Sequence, residues 1–247
     1  MLDRIKAALG RTIARYLEKQ IHGYQTFAVT PHAMLCQVLE PGDVLLVEGN
    51  TRISVAIKYV THSTWSHAAF YAGSDRPGEE LIEADLQHGV HAVGLESYSG
   101  TNTRICRPVG LSPEDRANVV GFMRDSVGLS YDLKNVIDLA RYLLPKPPVP
   151  QRFRRRLLAL GSGDPTRAIC SSLIAQAFQN VHYPILPEIR PGCPGDCAAD
   201  ILHIRHHSLF APRDFDLSPY FRIVKPTIET RFDYHRLAWY EDQAPEL

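Results

Sequence analysis

The chain has no excess of either charge: 27 Lys and Arg stand against 27 Asp and Glu, a formal net charge of zero. A dedicated nucleic-acid binder neutralises phosphates with a basic surface, so that class is excluded and no nucleic-acid partner is expected. Cysteine is scarce, five in 247 residues. Sparse, irregular spacing rules out a disulfide-built scaffold, and the odd count leaves at least one thiol unpaired in a monomer. Long apolar runs are missing too: nothing approaches the ~20 apolar residues of a membrane span. The first residues do not read as a secretory signal, because Arg4, Lys6, Arg11, Arg15, Glu18 and Lys19 interrupt them. These absences lead to the expectation of a cytoplasmic protein. No phosphate-binding glycine loop and no GxSxG elbow is found. With 45% hydrophobic and 22% charged residues, disordered and collagen-like chains are excluded and a sizeable core is affordable.

Leu2, Ile5, Leu9, Ile13, Leu17 and Ile21 recur at three- and four-residue steps, which predicts an amphipathic helix over 1–21. Such a helix docks on its own domain or lies on a membrane surface. Residues 25–39 are of mixed character. Glu40-Pro41-Gly42-Asp43 marks a turn before a buried strand over 44–47, and a helix around 53–60 has Asn50 or Thr51 as its cap. Strands are expected at 67–73, 81–85, 90–95 and 104–109. Ser112-Pro113-Glu114-Asp115 opens a helix that Gly128 stops. A helix over 132–144, a stiff Lys146–Pro150 connector and a basic helix over 151–160 follow. Cys170, Leu173, Ile174, Ala177, Phe178 and Val181 form an apolar stripe at helical spacing, and beyond Pro184 the periodicity is weak. This order predicts an α+β fold with an antiparallel sheet.

Cys170 opens its helix, where unpaired amides and the helix dipole favour thiolate and can hold an oxyanion. Its place on an apolar stripe equally suits a buried packing cysteine. A nucleophilic thiol needs a base, and His67 begins a strand directly after a loop. Glu83, an acid in an apolar strand, needs a partner. Opposed residues of an antiparallel pair share a face, and a hairpin centred on Asp75 sets His67 directly opposite Glu83.

The runs Pro41-Gly42-Asp43-Val44, Ser66-His67, Ile82-Glu83-Ala84, Gly128-Leu129-Ser130-Tyr131-Asp132 and Cys170-Ser171-Ser172-Leu173-Ile174 together resemble the YiiX/YebB (YaeF) branch of NlpC-type cysteine hydrolases. These are circularly permuted papain-like enzymes whose histidine and third polar residue precede the cysteine. The resemblance spans roughly Gln37 to Tyr183 and more loosely the segment through Pro226. It implies a Cys170–His67–Glu83 triad, a thioester acyl-enzyme and a small peptide, amino-acid conjugate or acyl lipid as substrate. Tyr131 becomes the candidate oxyanion donor, with packing before a helix as its plainer role. The implied organisation is an N-terminal helix and lead-in over 1–36, a permuted papain-like hydrolase domain over 37–230 and a tail over 231–247. The first alternative is a thiol-dependent acyltransferase or lipid hydrolase on the same fold; the second is a non-catalytic binding protein.

Cys193 and Cys197, with His203, His206 and His207, have the residue types of a zinc site, but the C-x₃-C spacing lacks two clean ligand pairs and a loop is favoured. No metal or cofactor is expected. Arg152, Arg154, Arg155 and Arg156 form a basic cluster that suits a solvated helix face, an anionic substrate or lipid headgroups. The N-terminal helix and Arg152–Arg156 are therefore the two surfaces available for peripheral membrane contact. His88 and His91 flank a hairpin turn and read as surface residues. His62 is the alternative base. Cys36 and Cys106 read as small apolar core residues.

Overall fold

The computed structural model describes residues 15, 16, 18–21, 30–73, 76–85, 88–129, 169–190, 201–230 and 233. Most of the expected helix over 1–21, the expected helices over 132–144 and 151–160, Tyr131, Arg152–Arg156, Cys193 and Cys197 lie outside them.

The turn at Glu40–Asp43 sets the first strand. Gly42 has φ +100°, a conformation that suits glycine, and the Asp43 carboxylate accepts the Glu40 N–H at 2.9 Å. Strand β1, Val44–Val47, follows and is buried at every position, as a central strand requires. The helix Arg52–Thr61 (α2) comes next, with the Thr51 side chain accepting the Ser54 N–H at its start. Strands β2 (His67–Tyr71), β3 (Leu81–Asp85), β4 (Gly89–Val93), β5 (Thr103–Pro108) and β8 (Phe221–Val224) complete a six-stranded sheet in the order β4-β3-β2-β1-β5-β8. Every pairing in it is antiparallel. The molecule is thus α+β, and the strand positions agree closely with those read from alternation. A two-stranded ribbon, β6 (Glu188–Arg190) with β7 (Ile201–His203), stands apart from the main sheet.

Alternation along the strands sorts the core into two layers. Val44, Leu46, Ala68, Phe70, Ile82 and Ala84 face one way and pack against the helix Ile169–Asn180 (α4) through Cys170, Leu173, Ile174, Ala177 and Phe178. Phe178 meets Phe70, Phe221 and Tyr183 with ring centroids 5.2–6.4 Å apart. Leu45, Val47, Ala69, Leu81 and Ile105 face the other way, onto Leu95, Tyr98 and the helix His32–Val38 (α1). A further helix, Pro113–Asp125 (α3), begins as its sequence signals, with Ser112 as cap and Pro113 in the first turn.

Four expectations are corrected. Residues 32–38 of the mixed segment form α1, which brings Leu35 and Val38 into the core. Cys36 is exposed rather than a core residue, because Leu35 and Val38 take the buried face of that helix; Cys106 is buried as expected. The segment past Pro184 supplies β8, which pairs with β5. The β2–β3 register pairs Phe70 with Ile82 and Tyr71 with Leu81, two residues off the expected alignment. His67 and Glu83 are therefore diagonal rather than directly opposed. An even shift preserves parity, so they still share a face.

Candidate active site

Two constraints fix the backbone before His67. The Ser66 N–H bonds the Val47 carbonyl at 3.1 Å, and the Ser66 hydroxyl accepts the Gly49 N–H at 2.9 Å. A Cβ on Gly49 would collide with the side chains of Ser54 and Ser66, so any other residue there must displace those two hydroxyls. Held in this way, His67 extends Nε2 to Glu83 Oε2 at 2.6 Å. The Tyr98 hydroxyl donates to that same oxygen and lies 3.1 Å from His67 Nε2. The other carboxylate oxygen, Oε1, is 3.2 Å from His91 Nε2.

Both oxygens of Glu83 are thus engaged. Burial alone would raise its pKa, but the hydrogen bond and charge of His67, then Tyr98 and His91, hold it down at about 2. Glu83 is therefore a carboxylate at any ordinary pH.

Cys170 is the second residue of α4 and is 4% exposed. The paired register of β2 with β3 covers only Phe70–Ile82 and Tyr71–Leu81. Toward the start of β2, the Ala68 N–H turns to the Cys170 sulfur, as does the N–H of Ser171. The thiol also faces His67 as a hydrogen-bond and charge partner. Burial pushes this thiol up, yet the His67 charge, the His67 hydrogen bond and the two amides together bring it below its ordinary value. His67 mirrors it. Burial disfavours its cation, but the sulfur charge and hydrogen bond, followed by Glu83, raise the imidazole well above its usual range. The site favours a thiolate beside an imidazolium. Because Nε2 is committed to Glu83, Nδ1 is the ring nitrogen left to exchange a proton with sulfur. A cleft of about 510 Å³ opens over Cys170 and His67, with Ile53 and Ile57 of α2, Val47 and Tyr98 among its walls.

The structure brings together His67, Glu83 and Cys170, all three read from the sequence. Two neighbours were not anticipated. His91 is half-buried against Glu83 rather than a surface residue: the β3–β4 register pairs it directly with Glu83, and placing that hairpin's centre as for the preceding one identifies it. Tyr98 ends a 3-10 turn, Leu95–Tyr98, and no local pattern marks it. His88 is exposed as expected. His62, with φ 51°, ends α2, is exposed and does not line the cleft. His206 and His207 stack on each other with centroids 4.0 Å apart.

The chain is similar to the probable lipoprotein peptidase YaeF of Escherichia coli K12, at 22% identity over 206 residues that cover 77% of this chain and 72% of YaeF. This agrees with the YiiX/YaeF resemblance carried by the motifs. The crystal structure of metalloprotein yiiX from Escherichia coli O157:H7 aligns with 75% of this chain and 96% of its own, at 15% identity and a TM-score of 0.47. No family model matches the chain. Among the described residues no helix is long and apolar enough to cross a membrane.

Proposed function

We propose that the protein is a cysteine hydrolase of the circularly permuted papain-like kind, acting on an amide bond in a peptide or amino-acid conjugate. The observation that carries this reading is the division of the His67 imidazole. One ring nitrogen is held at 2.6 Å by Glu83, while the ring shares charge and a hydrogen bond with a thiol of lowered pKa. The chain order, histidine then glutamate then cysteine, and the peptidase-like name of YaeF support it.

The Cys170 thiolate attacks the substrate carbonyl carbon, forming a C–S bond and an oxyanion that the Cys170 amide at the helix start can receive. The C–N bond then breaks, and His67 Nδ1 passes its proton to the departing amine. A water, deprotonated by the now neutral His67, attacks the thioester, releases the acid and returns the thiolate–imidazolium pair. Glu83 fixes the imidazole's orientation and tautomer and stabilises its cation.

The same thioester would serve an acyltransferase or a lipid hydrolase. Apart from the Cys170–His67 pair, the charged side chains lining the cleft are Glu18, Glu83 and Asp85, with no Lys or Arg among the described lining residues. An acidic cleft repels a phospholipid phosphate and suits a neutral or cationic amide substrate.

Acyl and peptidyl electrophiles, incubated with wild type and Cys170→Ala and read by intact mass, test the assignment. The expected result is one adduct on wild type, mapped to Cys170, and none on the variant. Equal labelling of the two would overturn the nucleophile assignment.

A further inference from the structure

We propose that Asp85, His88 and His91, at the turn end of the β3–β4 hairpin, bind a divalent transition metal of the zinc class. Asp85 is the last residue of β3, His88 immediately precedes β4 and His91 lies at its middle. One donor atom from each side chain lies within 4.8 Å of the other two. His88 Nδ1 is 2.8 Å and His91 Nε2 is 3.8 Å from the same oxygen, Asp85 Oδ2. An ion bound at about 2.0–2.2 Å to each donor in tetrahedral geometry sets its ligands roughly 3.5 Å apart. The three atoms are therefore close enough for a small rotation of the exposed His88 ring to let them share one ion.

The surroundings of the ligands point the same way. His91 Nδ1 lies 3.1 Å from the Gly89 carbonyl, which can only accept, so that nitrogen carries the hydrogen. An imidazole held by a backbone carbonyl on its far nitrogen is the arrangement that orients a metal-binding histidine. The Asp85 carboxylate is steered too: its Oδ1 accepts the His88 N–H at 2.5 Å, which leaves Oδ2 toward the two rings. Asp85 and His91 are partly buried and His88 is largely exposed, so the site has a fixed floor and an open entry. Two imidazoles and one carboxylate select zinc, cobalt, nickel or copper over magnesium or calcium, and leave a fourth position for water.

Glu83 lies between this cluster and the thiol, with Oε2 on His67 and Oε1 on His91. Occupation of the cluster withdraws His91 Nε2 from Glu83, since one nitrogen cannot serve both. Only this coupling rests on the cysteine-hydrolase reading; the metal site stands without it.

The test uses the full chain carrying Cys170→Ala, which removes the thiol as a competing ligand. Zn²⁺ binding is followed by calorimetry and Co²⁺ binding by its visible absorption. One ion per chain is expected, with affinity weakened at least about tenfold by His88→Ala and by His91→Ala and unchanged by His67→Ala. His88 is exposed, so its removal leaves folding intact and keeps the result interpretable. Three results would overturn the proposal: no binding at millimolar metal, binding indifferent to His88→Ala, or binding lost with Cys193→Ser instead. Because the readout is the metal alone, inactivity toward amides leaves it untouched.

Discussion

The three described cysteines carry the same thiol in three environments. Partial burial, followed by the Glu96 charge, pushes Cys36 up even though it is exposed. Cys106 is sealed in the core, and burial raises it far beyond the ordinary range. Only Cys170 among them is lowered. At pH 6, iodoacetamide should therefore alkylate Cys170 at least about tenfold faster than Cys36, as read by peptide mass mapping; comparable rates would refute a thiolate at Cys170. The sign of the pH dependence follows. The reactive pair exists above the lowered Cys170 pKa and below the raised His67 pKa, so kcat/KM should trace a bell. Its acid limb should lie below pH 9, where a free thiol ionises, and its alkaline limb above pH 6.5, where a free imidazole loses its proton. Glu83→Gln keeps an acceptor for His67 Nε2 and should cost about tenfold in kcat/KM, whereas Glu83→Ala should cost about 10²-fold or more. That Cys170, His67 and Glu83 lie together was legible because a thiol at a helix start, a histidine at a strand start and an acid in an apolar strand each have a recognisable local setting. Tyr98 was not, since a tyrosine ending a short turn looks like any packing aromatic.

Caps and turns were the most readable features among the elements, because each is a short-range hydrogen-bonding device. Thr51 and Ser112 accept the amides their types predict, and Asp43 closes its own turn. Two elements escaped because their periodicity is too short or broken. Helix α1 is seven residues long and buries only Leu35 and Val38, which fits several conformations. Strand β8 runs buried, exposed, exposed, buried. This is no alternation, and it reflects an edge strand with Ile223 turned to solvent. The β2–β3 register was misjudged by two residues because turn composition brackets a hairpin centre without fixing it. The approach of Gly49 to Ser66 gives an element-level prediction. Gly49→Ala should displace the start of β2, lower stability by about 1–3 kcal/mol and slow alkylation of Cys170 beyond what stability alone explains. Urea unfolding measured alongside labelling kinetics checks both effects.

At the scale of the whole molecule, one buried ion pair ties turn, sheet and α1 together. Asp43 is fully buried and takes two hydrogen bonds from Arg107, at 2.9 and 2.8 Å. Arg107 also bonds Glu40 at 2.6 Å and the Val38 carbonyl at 2.5 Å. Asp43→Ala would leave the guanidinium largely buried without its main partner and should cost about 3–5 kcal/mol, measured by urea denaturation. The α+β class and the antiparallel sheet were legible from the order of elements, but closure of the sheet by a distant strand was not: pairing between β5 and β8 is a non-local contact that no window of sequence contains. Strand β8 is also what the Cys170 helix leans on. Phe215 and Phe221 pack edge to face, Phe221 meets Phe178 in the same way, and the Ser171 hydroxyl donates to the Phe210 carbonyl at 2.8 Å. A chain shortened to end at residue 206 should therefore show no cooperative unfolding transition by circular dichroism.

That dependence has a consequence for synthesis. A ribosome releases the His67–Glu83 hairpin long before Cys170, and releases Phe210, Phe215 and Phe221, which seat the Cys170 helix, later still. Since domains fold as units while they are made, the proposed base and acid wait for the thiol, and all three wait for the strand that seats its helix. Under the cysteine-hydrolase reading, a nascent chain that has not yet paired β8 with β5 should therefore show no reactive thiol, so the order of the strands sets when the proposed site forms.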